Sequence, residues 1–312
     1  MRAVFFGTPA IATPALRALG ELAELVGVVC QPDRRAGRGL KLTEPAVKQL
    51  ARELGAEVYQ PEKVRTGELR DWLRAREADV ALVMAYGRIL PEDVLAAPRR
   101  GSVNLHASLL PRYRGAAPIQ WAIIRGETET GISLMQMDVG LDSGPVFARR
   151  AIPIGPEETA GELAERLATL AAEVVRDTLP AVVAGTLAAT PQDESAATFA
   201  PLLGPDDTRL DFGEPARRVV DRIRGLSPRP GARTTLGGKR LLLHAARLDD
   251  EPVAGPPGSV GIGSRRQVLV ATGAGSVELV RVQLEGRTAV PAEALIHGRA
   301  LRAGDVLGSR DT

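Results

Sequence analysis

Asn104 and His106 stand two residues apart in the stretch NLHASLLPRYRG, residues 104–115. The segment SVNLH is typical of a β-strand, in which side chains two residues apart share one face, so both should project together. An amide supplies two N–H donors and an imidazole at least one, and such donors at the carboxyl end of a strand can stabilise a developing oxyanion. Spacing alone favours a plainer interpretation, in which Asn104 caps a turn and His106 is a hydrogen-bonded core histidine.

A second cluster of polar residues lies in MQMDVGLDSG, residues 135–144, which continues another strand-like run. It offers Asp138 and Asp142, and its two glycines permit tight backbone turns. For one isolated Asp, an ordinary Asp-Gly turn is the more common explanation. A carboxylate close to His106 would instead orient the imidazole ring, a contact that sequence spacing does not reveal.

A basic segment, QPDRRAGRGLKL at residues 31–42, directly follows the second strand-like run. Cations set among glycines and a proline can reach the phosphates of a nucleic acid. A solvated surface loop is an equally good interpretation of the same residues. The cations of the segment are Arg34, Arg35, Arg38 and Lys41.

Other kinds of chemistry lack their sequence signatures. G-x-S-x-G is absent, Cys30 lies in the apolar run LVGVVC, and Ser108 has no evident base beyond His106, which argues against covalent catalysis. GTPAIATP after the first strand is not G-x-G-x-x-G and no P-loop motif occurs, so nicotinamide and P-loop functions lose support. The three histidines, at 106, 244 and 297, show no metal-ligand spacing, and we expect no metal.

The composition is that of an ordinary globular protein. The 312 residues are enough for two domains, and 44% of them are hydrophobic and 25% charged. The formal net charge of +2 does not by itself indicate a nucleic-acid partner. A single cysteine excludes an internal disulfide and fits a reducing, cytoplasmic setting. We expect neither a signal peptide nor a membrane span, because no apolar run is long enough for either.

Short apolar runs alternate with amphipathic segments through the first half of the chain. The strand-like runs are RAVFF, LVGVVC, DVALVMAY, SVNLH and GISLMQM, and the helix-like segments include EPAVKQLARELG and ELRDWLRAREA. The alternation predicts an α/β domain whose parallel sheet is covered on both faces. A capping-box pattern at Thr159 and Glu162 predicts the start of a long helix that reaches about Gly185.

The character of the chain changes near residue 189. Residues 189–208 are rich in Pro, Asp, Ser and Thr, which is typical of a linker. After the helix-like EPARRVVDRIRGL, alternating apolar runs with Gly and Pro turns predict a small antiparallel barrel. The predicted division is therefore a domain at 1–188, a linker at 189–208 and a β domain at 209–312. From residue 206 onward 17 Lys and Arg stand against 13 Asp and Glu, a weak hint of a polyanionic partner.

Taken together, these stretches resemble the methionyl-tRNA formyltransferase family. The formyl-transfer signature of that family, Asn-x-His-x-Ser-Leu-Leu-Pro followed by Arg-Gly, stands here as NLHASLLPRYRG, and its acidic and basic loops stand as MQMDVGLDSG and QPDRRAGRG. VFFGTP and AYGRILP are also similar to the family, and the likeness covers most of residues 1–190 and, more loosely, the remainder. The first signature is shared by glycinamide ribonucleotide formyltransferases, sugar-nucleotide formyltransferases and formyl-tetrahydrofolate hydrolases, so it does not fix the acceptor. The basic loop and the C-terminal β domain favour tRNA as the acceptor, because the family uses these two parts to bind it.

The resemblance implies an architecture, a reaction and a set of site residues. The implied fold is a Rossmann-like domain with a parallel-rich sheet, a linker and an OB-like β-barrel. The implied reaction moves a formyl group from 10-formyl-tetrahydrofolate to the α-amino group of methionine on initiator tRNA, in a monomer and without a metal. The implied residues are the catalytic Asn104, His106 and Asp142, the folate-binding Ser108, Leu109, Leu110 and Pro111, and the tRNA-binding Arg34, Arg35, Arg38 and Lys41.

Two positions depart from the family pattern, and two other functions stay open. Tyr113 stands where Trp is common, which is conservative for packing, and SPRPGA places Arg229 where the family often has the Trp of Pro-Trp-Pro. The second change bears on local packing or on a tRNA contact in the β domain. The alternatives are another folate-dependent formyltransferase, with a sugar-nucleotide or glycinamide ribonucleotide acceptor, and a non-catalytic RNA-binding protein. The latter has no reason to combine Asn104 and His106 with Asp142.

Overall fold

Two compact units make up the chain in the computed structural model, which describes residues 1–36 and 41–308. Arg38, predicted to contact tRNA, lies outside the described residues. Each unit is assembled from three separate stretches of chain, so the units are interleaved in sequence. The first unit comprises Met1–Pro118, Thr130–Ile152 and Ala164–Pro201, and the second comprises Ile119–Glu129, Pro153–Leu163 and Leu202–Thr312.

The first unit is built around a seven-stranded sheet with the order β5-β2-β1-β6-β7-β8-β9. Pairing is parallel from β5 through β7, as the alternation of strands and helices predicted. A separate antiparallel ribbon is formed by β3 and β4. The strands are β1 (Arg2–Gly7), β2 (Glu24–Val29), β3 (Arg34–Ala36), β4 (Lys41–Thr43), β5 (Val58–Tyr59), β6 (Val80–Met84), β7 (Ser102–His106), β8 (Glu129–Gln136) and β9 (Val146–Pro153).

The burial of the strands follows their apolar patterns. The unbroken apolar run of β6 is buried along its whole length, and β1 is buried after its first residue, as expected of strands covered on both faces. β9, at the end of the sheet order, is mostly half-buried or exposed along RRAIP. The run GISLMQM was predicted among the parallel strands, but β8 is antiparallel to β7. An apolar strand has the same pattern in either direction, so its sequence did not reveal this.

Each predicted helix-like segment contains an α-helix, and the longest helix begins at the predicted capping box. Thr159 N–H donates to the Glu162 carboxylate over 2.9 Å, and Glu162 N–H donates to Thr159 Oγ1 over 3.3 Å. This reciprocal pair satisfies two N–H groups that the first turn leaves without a helical acceptor. The helices are α1 (Thr13–Leu22), α2 (Ala46–Glu53), α3 (Glu68–Arg74), α4 (Glu92–Leu95), α5 (Pro118–Ile124), α6 (Ala160–Ala184), α7 (Ala216–Leu226) and α8 (Glu293–His297).

The second unit contains a six-stranded sheet whose pairs are antiparallel, which confirms the predicted OB-like β architecture. Its core joins apolar residues of the strands to α7 and to Ile124 of α5. Arg229, the residue in the usual Trp position, is exposed after α7. The strands are β10 (Ala232–Leu236), β11 (Lys239–Asp249), β12 (Val260–Ile262), β13 (Val268–Ala271), β14 (Ser276–Leu284) and β15 (Val290–Pro291).

The segment that composition marked as a linker hydrogen-bonds within the first unit over much of its length. Val146 and Thr190 exchange backbone hydrogen bonds of 2.8 and 2.9 Å. Arg114 N–H donates to the Thr198 carbonyl and Ala200 N–H donates to the Arg114 carbonyl, both over 2.8 Å. The division at 188 and 208 stays a prediction. No helix among the described residues is both long and apolar enough to cross a membrane.

Candidate active site

His106 ends β7, and the residue is only 5% exposed. Its ring Nε2 lies 2.9 Å from the backbone carbonyl oxygen of Tyr113. A carbonyl oxygen can only accept, so Nε2 carries a proton and donates it to that hydrogen bond. The remaining nitrogen, Nδ1, is therefore the ring atom that can exchange a proton or donate to another group.

Asp142 faces that remaining nitrogen. Its Oδ2 lies 3.6 Å from His106 Nδ1 and also accepts a 2.9 Å hydrogen bond from the Gly115 N–H. The distance of 3.6 Å between Nδ1 and Oδ2 is longer than a direct hydrogen bond, so the two groups face each other without being hydrogen-bonded. Asp142 has a φ of +51°, a left-handed conformation that non-glycine residues adopt at an energetic cost. The structure thus brings together the histidine and the carboxylate that the resemblance paired.

Asn104 lies two residues before His106 on β7, between Val83 of β6 and Met135 of β8 in the strand register. Strand alternation places its side chain on the same face as the imidazole. The side chain is partly exposed, and no hydrogen bond to it occurs among residues 1–36 and 41–308. Its amide N–H groups are therefore available to an oxygen that enters the site.

The other aspartate of the loop has a local role. Asp138 Oδ1 accepts hydrogen bonds from the Gly140 N–H over 3.0 Å and from Ser143 Oγ over 3.1 Å. These contacts close the loop of residues 138–143, which contains Asp142, and the one to Gly140 is expected of an Asp-Gly turn. The plainer of the two interpretations thus fits Asp138.

The segment predicted to bind folate is fixed by residues that sequence reasoning missed. Ser133 Oγ, on β8, donates to the Ser108 carbonyl over 2.7 Å and accepts from the Leu110 N–H over 3.1 Å. Arg149 Nε, on β9, donates to the Leu110 carbonyl over 2.6 Å. Each partner lies at least 23 residues from the atom it holds, so no local motif announces these contacts.

Within that segment the side chains divide into two groups. Ser108 is buried, and its hydroxyl donates to the Arg112 carbonyl over 2.6 Å. Leu110 is also buried and packs with Met135 and Val146. The side chains of Ser108 and Leu110 therefore stabilise the segment through contacts within the protein. Half-buried Leu109 and Pro111 are the members that present side-chain surface.

The basic ribbon of β3 and β4 is anchored at its first strand. Arg34 donates to Gln31 Oε1 over 2.9 Å, whereas Arg35 is exposed. Beside it, Lys48 Nζ lies 2.6 Å from Asp33 Oδ2, with only 9% of the lysine side chain exposed. The pKa of Asp33 is lowered by hydrogen bonds from Gln60 and Lys48. The side chains of Arg38 and Lys41 lie outside the description, so their predicted roles stay predictions.

The described residues contain no group of three or more His, Cys, Asp or Glu placed to hold a metal ion. Asn104, His106 and Asp142 together offer an amide, an imidazole and a carboxylate. These groups can donate hydrogen bonds to a developing negative oxygen and can pass a proton between two nitrogens, which is the chemistry of acyl transfer to an amine.

Two family models match most of the chain: formyl transferase over residues 1–179 and formyl transferase, C-terminal domain, over 202–300. The chain is 59% identical to the methionyl-tRNA formyltransferase of Sorangium cellulosum, over 99% of this chain and all of the relative. It is 47% identical to that of Myxococcus xanthus, over 97% and 96% of the two chains. Among solved structures, HypX from Aquifex aeolicus in complex with tetrahydrofolic acid is similar in fold, with a TM-score of 0.65 at 18% identity over 99% of this chain and 51% of that one. The chain belongs to the methionyl-tRNA formyltransferase family.

Proposed function

We propose that this chain transfers a formyl group from 10-formyl-tetrahydrofolate to the α-amino group of methionine on initiator tRNA. The observation that carries the proposal is the placement of His106 Nδ1 3.6 Å from Asp142, beside Asn104, in a chain that matches methionyl-tRNA formyltransferases end to end. The product is N-formylmethionyl-tRNA for the initiation of translation.

Asn104 suits the addition step. The attacking amine must be neutral, and an α-amino group with a pKa of roughly 7.7–8.0 has a useful neutral fraction near pH 7. Its addition to the formyl carbon converts the carbonyl oxygen into an oxyanion. The partly exposed Asn104 amide can donate a hydrogen bond to that oxygen without breaking a hydrogen bond to another described residue.

His106 and Asp142 suit the proton transfer that completes the reaction. The added amine must lose a proton, and the donor nitrogen must gain one as its bond to the formyl carbon breaks. Since Nε2 is held by the Tyr113 carbonyl, the proton passes through Nδ1 and the facing Asp142 carboxylate. The Gly115 N–H fixes that carboxylate in place.

We further propose that the segment Ser108–Pro111 binds the folate. Ser133 and Arg149 hold its backbone, and half-buried Leu109 and Pro111 offer an apolar surface to a planar ring. Such a fixed segment can place the formyl carbon near Asn104 and His106, which lowers the entropic part of the barrier.

For the tRNA, we propose contacts from the basic ribbon and from the mildly basic second unit. Arg34 and Arg35 lie on β3, and Arg38 and Lys41 extend the same charge along the segment. Phosphate contacts of this kind orient a nucleic acid without reading its bases. We also propose a cytoplasmic setting, which suits a chain whose single cysteine is free and buried, and a monomer, which the family resemblance implies.

A formylation assay tests the proposal. The purified protein is mixed with 10-formyl-tetrahydrofolate and either methionyl initiator tRNA or methionyl elongator tRNA, and N-formylmethionine is counted. We expect formylation of the initiator and little of the elongator. Activity instead on a sugar-nucleotide amine or on glycinamide ribonucleotide, offered in parallel, would replace the proposed acceptor and keep formyl transfer.

A further inference from the structure

Arg114 has a buried guanidinium in the loop that follows β7. The residue is 4% exposed. Its two terminal nitrogens donate to the Glu194 carboxylate over 2.7 and 2.8 Å, and the hydrogen bonds from Arg114 lower the pKa of that carboxyl. Nε and one terminal nitrogen also donate to Gln192 Oε1, over 3.1 and 2.8 Å. Glu194 thus holds the guanidinium, and the guanidinium holds the oxygen of Gln192.

Gln192 is thereby left with one orientation of its amide. Because Oε1 accepts from an arginine, which can only donate, the other amide atom must be Nε2. Nε2 donates to the backbone carbonyl of Asp142 over 2.8 Å and to that of Gly144 over 2.7 Å. Both amide atoms of Gln192 are therefore used, one toward Arg114 and the other toward the loop that carries Asp142.

The loop that Gln192 binds carries a residue with an unfavourable backbone conformation, Asp142. At a φ of +51°, Asp142 has a conformation that persists only where its surroundings fix it. Gln192 ties down the carbonyl of that same residue, while the Gly115 N–H ties down its carboxylate. Backbone and side chain are thus fixed from two directions, which sets the direction of Oδ2 toward His106.

Residues 113–115 contact both His106 and the groups that hold Asp142. The Tyr113 carbonyl accepts from His106, and the Arg114 guanidinium donates to Gln192. The Gly115 N–H donates to the Asp142 carboxylate. This stretch is in turn bonded to the chain after Gln192, because Tyr113 N–H donates to Thr198 Oγ1 over 2.9 Å and Arg114 N–H to the Thr198 carbonyl. One network therefore reaches both reacting side chains.

We propose that Gln192, oriented by Arg114 and Glu194, is a positioning residue for formyl transfer. It holds the Asp142 carboxylate at its place opposite Nδ1 of His106, and so acts on the proton transfer without touching either substrate. The inference rests on the proposed function of that pair. Losing the two N–H donors of Gln192 lets the Asp142 backbone relax from its left-handed conformation and turns the carboxylate away.

The test compares kcat, KM for each substrate and the melting temperature across a set of variants in the full chain. Gln192→Ala removes the side chain, and Gln192→Glu keeps an acceptor for Arg114 but removes both N–H donors. Asp142→Asn reports on the site itself. Gln283→Ala is the matched control, because Gln283 also donates from Nε2 to a backbone carbonyl, that of Arg287, over 2.8 Å in the second unit.

We expect Gln192→Ala and Gln192→Glu to lower kcat by about 10- to 100-fold, since a misplacement near 1 Å has effects of this size. KM for tRNA and for folate should stay within about threefold, because Gln192 orients a catalytic group rather than a substrate. Gln192→Glu also serves if Gln192→Ala does not fold, because it preserves the contact with Arg114. Gln283→Ala should leave kcat unchanged.

Normal kcat in both Gln192 variants, with Asp142→Asn inactive, would overturn the inference and leave the site assignment standing. The inference also fails if the variants raise KM alone, or lose activity only in proportion to folded protein. If Asp142→Asn is as active as wild type, the assignment of Asp142 fails first. Absence of formylation by the wild-type chain would instead count against the proposed function.

Discussion

At the scale of single residues, the hydrogen bonds of His106 refine the role expected from its position. Sequence reasoning had Asn104 and His106 both donating to the oxyanion. In the structure Nε2 donates to the Tyr113 carbonyl, so the imidazole is left with Nδ1 and its neighbour Asp142. Asn104 is then the residue of the trio whose hydrogen-bonding groups are unoccupied by other described residues.

Removing the amide should therefore affect turnover far more than binding. We expect Asn104→Ala to lower kcat by about 10²–10³, the usual effect of losing one oxyanion donor. The dissociation constants for folate and for tRNA, measured by titration calorimetry, should change little. A variant with normal kcat would exclude Asn104 from the transition state.

Ser133 gives a second prediction at this scale, because its hydroxyl holds two backbone groups of the folate segment. Ser133→Ala leaves the Leu110 N–H without its partner, and should lower the free energy of unfolding by about 1–3 kcal/mol. It should also raise KM for 10-formyl-tetrahydrofolate. Ser276→Ala, which removes a hydroxyl that likewise donates to backbone carbonyls in the second unit, should destabilise the protein without changing that KM. Equal KM values in the two variants would contradict the role of Ser133.

The family resemblance named the three residues of the trio, and spacing placed Asn104 and His106 on one strand face, whereas the residues that support them carried no sequence signal. Asn104 and His106 belong to one short motif, and a strand fixes their relation. Gln192 lies 50 residues from Asp142 and 78 from Arg114, and Ser133 lies 25 from Ser108. Such contacts depend on tertiary folding, and a glutamine in a Pro- and Asp-rich stretch carries no local signal of them.

At the scale of elements, helix α6 has an N-terminus whose stability should depend on pH. Hydrogen bonds from the Thr159 backbone and hydroxyl lower the pKa of Glu162 below its ordinary 4.5. A lowered carboxyl pKa contributes stability that is fully present above the ordinary value and is lost as pH falls through the lowered one. The carboxylate half of the capping box therefore strengthens the fold at neutral pH and loses this contribution in acid, while the hydrogen bond from the Glu162 N–H to Thr159 Oγ1 does not depend on the charge.

We expect Thr159→Ala to lower the free energy of unfolding by about 1 kcal/mol at pH 7, the usual effect of losing an N-cap. The difference from wild type should shrink as the pH falls below 4.5 and Glu162 takes up its proton. Urea titrations at a series of pH values measure both effects. A difference that stays constant with pH would show that Glu162 takes no part.

Elements were predicted better than their directions and connections. Most strand-like and helix-like runs fold as expected, because apolar periodicity reports which face is buried. The antiparallel direction of β8 was missed, since periodicity is blind to direction. The composition of residues 189–208 predicts a linker, but it does not reveal that the first half of this stretch hydrogen-bonds to Arg114 and Val146.

At the scale of the whole molecule, the charge distribution predicts how tRNA binding responds to salt. The chain carries a net charge of only +2, so binding should depend on a limited number of local contacts. The logarithm of the tRNA association constant should fall by about 0.7–0.9 per logarithm of salt for each phosphate contact. Arg35 is exposed on the ribbon, so Arg35→Ala should reduce the magnitude of this slope by about 0.7–0.9, the amount expected for one phosphate contact.

Filter binding across a range of potassium chloride concentrations measures the slope. Glu53→Gln is a useful comparison, because Glu53 is a surface carboxylate of the same unit and forms an ion pair with Arg17, which lies outside the ribbon. It should leave the slope unchanged. An Arg35→Ala slope equal to that of wild type would remove this residue from the phosphate contacts.

The interleaving of the two units limits how such a protein can evolve by exchange of its halves. A crossover near residue 201 separates most of the two units in sequence. It nevertheless leaves the second unit with two segments from the other parent, Ile119–Glu129 and Pro153–Leu163. A side chain added at Gly225 would come within 2.7 Å of Ile124, and Arg224 donates to the carbonyls of Gly155 and Glu158. Functional chimaeras of two parents should therefore be those that inherit all three stretches of the second unit from one parent.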